Sequence, residues 1–70
     1  MSLREIVATN LRQLRHARGL SQEELADRAG VNRNYIGMLE REQNAATVDM
    51  LERIAAILEV DPIEFFRTTR

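Results

Sequence analysis

Seventy residues, 44% hydrophobic and 30% charged, suit one folded domain spanning 1–70 and exclude a disordered chain. With no cysteine and a single histidine, His16, disulfides, thiol catalysis, thiolate zinc sites and histidine clusters are excluded. The net charge of −1 lacks the basic excess that usually marks nucleic-acid binders, and no apolar run nears the ~20 residues that cross a bilayer.

The first element is a helix. Ser2 and Glu5 have the spacing of a capping box, and Leu3, Ile6, Val7, Leu11, Leu14 and Ala17 follow at intervals of three and four, up to a stop at Gly19. Its Arg4, Arg12, Arg15 and Arg18 read equally well as a solvated face or as phosphate contacts. A second capping box, Ser21 with Glu24, opens a helix from Gln22 to Arg28, and Leu20 and Leu25 flank the cap as a hydrophobic staple. The same spacing recurs at Val31, the cap candidate Asn32, and Ile36, which starts a third helix running from Arg33 to Arg41. Gly30 allows the sharp turn between the two, and Ala26 is small where they would cross. Leu25, Ala29, Ile36 and Leu39 then share an inner face.

Two short helices at this spacing are those of a DNA-binding helix-turn-helix, whose second helix lies in the major groove while the first crosses the backbone. Helical bundles that bind nothing also contain such pairs. The outer face of the third helix argues for function, because Arg33, Asn34, Gly37, Met38 and Arg41 lie there without an acid, at about 100° per residue. Arg33 and Asn34, in the first turn, are the candidates for guanine and adenine edges; a phosphate contact is the alternative for Arg33. Gly37 would let the backbone approach closely, and Met38 would meet a thymine methyl. Gln22, at a helix start, together with Asn32, Tyr35, Arg41 and Arg12, is assigned to phosphate.

Charge distribution leans weakly the same way, with seven arginines against six acids through Ala45 and three against five after it. Every basic residue is arginine, which favours planar bidentate contacts, although genomic base composition is the better explanation for the missing lysine. Residues 42–46 form a loop. Thr47 then caps a fourth helix with Leu51, Ile54, Ala55 and Leu58 on one stripe, broadened by Met50 and Ile57. Asp61 as cap, Pro62 at the first helical position and Glu64 three after the cap predict a short fifth helix, stapled by Val60 and Phe65. No repeat, linker or strand pattern is present. The fold expected is all-α: a compact five-helix, repressor-like domain with the helix-turn-helix as helices two and three.

Taken jointly, RQLRHARGLSQEELADRAGVNRNYIGMLER and TVDMLERIAAILEVDPIEFF resemble the DNA-binding domain of the phage repressor and Cro family, the XRE type, over nearly the whole chain. Within it, length and pattern are similar to the small controller proteins of restriction-modification systems, which act as dimers. The resemblance implies a buried ion pair between Arg15 and Glu40, and the helical wheel, which sets Glu40 beside Ile36, favours burial. It also exposes a departure. Where similar proteins often read Arg-Gly and then an Asn-Pro-Thr loop, this chain reads Arg41, Glu42, Gln43, Asn44, Ala45, Ala46, Thr47. Glycine and proline are missing, Glu42 weakens the expected phosphate contact, and Asn44 remains the candidate there.

The partners expected are double-stranded DNA and a second copy of the chain, joined through Ile57, Ile63 and Phe66, for which five small helices leave no room inside. An antitoxin or other protein-interaction module built on the same helices is the alternative. No enzyme is expected, since no nucleophile–base pair or carboxylate cleft is legible, and no cofactor or metal is called for. The paired acids Glu23 and Glu24 suit a helix start. Lacking a signal-peptide pattern, the chain is expected in the cytoplasm, without membrane contact; nothing after the fifth helix would form an effector-sensing domain.

Overall fold

Local side-chain chemistry sets the start of each long element. The computed structural model describes residues 2–68, and its helices are α1 (Leu3–Ala17), α2 (Gln22–Ala29), α3 (Tyr35–Glu40) and α4 (Val48–Leu58), followed by a 3-10 turn over Pro62–Phe66. Ser2 Oγ accepts from the Glu5 amide at 3.1 Å and Thr47 Oγ1 from the Met50 amide at 3.0 Å. At Ser21 the box is reciprocal: Oγ accepts from the Glu24 amide at 3.0 Å, and the Ser21 amide donates to Glu24 Oε1 at 2.9 Å. Each satisfies a backbone donor that the helix leaves open.

All four α-helices end in one way, with paired bonds that close the last turn around a left-handed residue. After α1 the Leu20 amide donates to the Arg15 carbonyl at 3.2 Å and Gly19 donates to His16 at 2.9 Å, with Gly19 at φ +67. After α2 the pairs are Val31 to Ala26 at 3.0 Å and Gly30 to Asp27 at 3.2 Å, with Gly30 at φ +72. The ends of α3 and α4 repeat the pattern with glutamates, Glu42 at φ +62 and Glu59 at φ +59.

Two boundaries differ from expectation. The fifth helix is not α-helical, so the described residues form four α-helices and a 3-10 turn. Asp61 does cap it, accepting from the Ile63 amide at 3.0 Å, but the Glu64 amide reaches back only three residues, to the Asp61 carbonyl at 2.9 Å. Five residues are too few to recover the cost of an α-helical nucleus. Helix α3 starts at Tyr35 rather than Arg33. Asn32 Oδ1 accepts from the Asn34 amide at 2.8 Å, which closes a turn through Arg33 and Asn34 before the helix begins.

The core lies where the α1 stripe meets α2, α3, α4 and the turn, and Leu11, Leu25, Ile36, Ile54, Leu58 and Phe65 are wholly buried. Each such side chain contributes about 1.5–3 kcal/mol relative to exposure. The α1 stripe is shorter than its periodicity suggests. Leu3 is 61% exposed, and its first turn overhangs the small core, whereas Ala8 and Asn10 are buried. Asn10 binds the end of the fold to α1: its amide donates to the carbonyls of Phe65 and Arg67, both at 2.8 Å.

Candidate nucleic-acid interface

The turn at Gly30 sets α2 against α3, and the buried Ala26 and Ala29 keep the two close. Asn32, Arg33 and Asn34, in the turn that leads into α3, are exposed, while Tyr35 and Met38 are half-buried. Tyr35 packs on the core cluster. Arg41 and Asn44, after α3, are exposed, and Arg41 Nε donates to Gln43 Oε1 at 3.3 Å. Asn32, Arg33 and Asn34 thus stand together at the exposed entry to α3, whereas Asn44 borders an apolar groove shared with Leu3 and Phe66. Gly37 is buried beneath neighbouring side chains rather than open to a groove.

At the end of α3 is a polar cluster on Glu40. Arg15 Nε donates to Glu40 Oε2 at 2.6 Å and Arg15 Nη2 to Oε1 at 3.0 Å, with both residues buried, while Arg15 Nη1 reaches the Leu20 carbonyl at 2.8 Å. Gln22 Nε2 adds a third bond, to Glu40 Oε1 at 3.0 Å. Burial pushes the Glu40 carboxyl up, but hydrogen bonds from Arg15 and Gln22 and the charges of Arg15 and Arg12 outweigh it and hold the group below its ordinary 4.5. Glu24 is lowered too, first by the Ser21 backbone bond, then by the Ser21 hydroxyl.

Several arginines serve the architecture instead of an exposed basic patch. Arg12 Nη2 donates to the Glu40 carbonyl at 2.8 Å, Arg18 Nε to the Leu58 carbonyl at 2.7 Å, and Arg53 Nη1 to the Ala29 carbonyl at 3.0 Å. Each places a cation at the negative end of a neighbouring helix, α3, α4 and α2 in turn. These roles and that of Asn10 join residues 24 to 57 positions apart, and no local pattern announces them.

The outer face of α3 carries no acid of its own, yet α2 supplies one. Arg33 Nη2 donates to Glu23 Oε2 at 2.8 Å, and these side chains are 70% and 65% exposed, so the pair contributes under about 1 kcal/mol and yields easily to another acceptor. Glu24 and Asp27 border the same shallow hollow. In the 3-10 turn, Ile63 and Phe66 are 57% and 37% exposed, whereas Ile57 packs partly on the core. Phe66 borders an apolar groove of about 220 Å³ with Leu3, Val7, Val48 and Leu51.

Residues 11–65, from mid-α1 through the 3-10 turn, match the HTH_3 family model, described as helix-turn-helix. The chain belongs to this family. It is an XRE-type helix-turn-helix transcriptional regulator, and restriction-modification controller proteins are among its homologues. It is 41% identical over 58 residues to the control protein C.SmaI of Serratia marcescens, covering 83% of this chain and 69% of that one. Among solved structures, the restriction-modification controller protein C.AhdI of Aeromonas hydrophila superimposes with a TM-score of 0.85 at 38% identity, over 90% of this chain and 96% of the other. A hypothetical transcription factor from Neisseria gives 0.90 at 35% identity, over 94% and 76%. The HTH_3 match takes in the Glu40 cluster and the whole α2–turn–α3 unit. Among the described residues, no helix is long and apolar enough to cross a membrane.

Proposed function

We propose that this HTH_3 protein regulates transcription by binding, as a homodimer, an inverted-repeat operator in double-stranded DNA. The observation that carries the reading is the exposed Asn32–Arg33–Asn34 entry to α3, presented by a helix whose far end is anchored internally by Glu40. Recognition helices enter the groove by their N-terminal residues. Arg33 reads guanine, Asn34 adenine and Met38 a thymine methyl, each good bidentate pair discriminating by roughly 1–3 kcal/mol. Gln22, Asn32, Tyr35, Arg41 and Asn44 meet phosphate. Arg12 would join them with whatever donors its bond to the Glu40 carbonyl leaves free.

The control and controller names of the relatives support the regulatory role. Exposed Ile63 and Phe66 support a dimer through the 3-10 turn, with Ile57 at its margin. The test is duplex binding by fluorescence anisotropy between about 50 and 200 mM salt, where phosphate contacts make affinity fall steeply. A protein that ignores duplex DNA at every salt concentration would refute the proposal and leave the interaction-module reading.

A further inference from the structure

Gly37 is the one glycine placed inside a helix, where glycine is a poor helix former, and α3 has only six residues. A Cβ at this position would lie 2.9 Å from Arg41 Nη1 and 3.0 Å from Gln22 Oε1. Arg41 is exposed and its guanidinium can swing aside, but Gln22 is tied down. Its Nε2 donates to Glu40 Oε1, and the same carboxylate is gripped by Arg15. Because a carboxylate only accepts, the carboxamide has one orientation: Nε2 toward Glu40 and Oε1 against Gly37.

We propose that Gly37 is a positioning residue, a seat for the Gln22 carboxamide and the Arg41 guanidinium, and not a point of close approach to bases. Arg15, Glu40 and Gly37 together aim Gln22. One amide hydrogen is spent on Glu40, and the second stays available for a phosphate at the start of α2. The absence of a side chain at residue 37 thus controls two phosphate contacts on different elements. The DNA half of this inference rests on the proposed function; the seat itself does not.

Four proteins test it: wild type, Gly37→Ala, Gln22→Ala and the double variant. In thermal unfolding, alanine should leave the midpoint of the wild type nearly unchanged, because helix propensity offsets the clash. In the Gln22→Ala background, where only the exposed Arg41 guanidinium has to move, the same change should raise it by about 4 °C. Equal shifts in both backgrounds would overturn the seat, whether or not the protein binds DNA.

In duplex titrations, Gly37→Ala should weaken binding to all sequences alike, by about tenfold, and flatten the salt slope by about one as Arg41 is displaced. Gln22→Ala should then cost little more in the Gly37→Ala background. Altered preference at one base-pair position, or additive losses from the two changes, would overturn the proposal. A wild type that binds no duplex would instead remove the DNA reading, and the unfolding cycle would still decide the seat.

Discussion

At Glu42 and Glu59 an ordinary L-residue occupies the left-handed helix stop that Gly19 and Gly30 fill at the other two ends. That conformation costs a residue with a Cβ roughly 1–2 kcal/mol, partly repaid because glycine is freer when unfolded. Glu42→Gly and Glu59→Gly should each stabilise the fold by about 0.5–1 kcal/mol, a rise of about 4 °C in the unfolding midpoint. Glu59 would also lose its exposed contact to Arg18, 3.2 Å away, so its gain should be the smaller. Unchanged or lower midpoints would show that the strain is absent. Glu40 makes a prediction of opposite sign. Its folded carboxyl titrates below its ordinary 4.5, so its stabilisation is complete above that pH and is lost as pH falls through the lower folded value. Glu40→Gln should therefore cost about 3 kcal/mol at neutral pH, since Arg15 is left buried without its counter-charge. Denaturant titrations should show the gap from wild type closing below pH 4.5; a constant gap would contradict the ion-pair account.

Beside the apolar core, arginine and asparagine donors set on carbonyl ends tie the elements of this fold together. Asn10 is the clearest case, because two carbonyls, of Phe65 and Arg67, converge on its amide. Asn10→Ala should cost about 2 kcal/mol by leaving those acceptors without a donor. Asn10→Asp should cost at least as much, since a carboxylate there would face two oxygens. If Asn10→Asp instead unfolds at the same urea concentration as wild type, the clamp is not needed. The contrast with the caps shows what the sequence makes legible. Ser2, Ser21, Thr47 and Asp61 each reach an amide two or three residues away, so their pattern lies in the local string. Arg12, Arg18, Arg53 and Asn10 reach across the fold, and nothing near them in sequence marks the acceptor. The recognition surface divides similarly. Periodicity ranks Arg33 and Asn34 as outward, but it cannot foresee that Glu23 leans against Arg33 or that Gln22 turns inward to Glu40. The start of α3 is not legible from the local string, because Asn32 satisfies the cap pattern while closing a turn.

One copy of the described domain is too short to reach two successive major grooves. Its longest Cα extent is 29 Å, against the ~34 Å that separates such grooves on one face of a duplex. The proposed inverted-repeat operator therefore calls for two copies related by a two-fold axis, and the exposed Ile63 and Phe66 offer apolar carbon for their contact. Net charge also bears on binding at this scale. With −1 overall and Arg12, Arg18 and Arg53 engaged at helix ends, little diffuse attraction to DNA is left, so non-specific binding should be weak. Under the proposed function, discrimination then depends on the entry to α3. The most direct measurement is selection of binding sites from random duplexes by wild type and Arg33→Ala. The account predicts an inverted repeat with half-site centres about 10 base pairs apart, and relaxed preference at one symmetric position in the variant. No enriched repeat, or a uniform loss of affinity in Arg33→Ala with every preference intact, would contradict it.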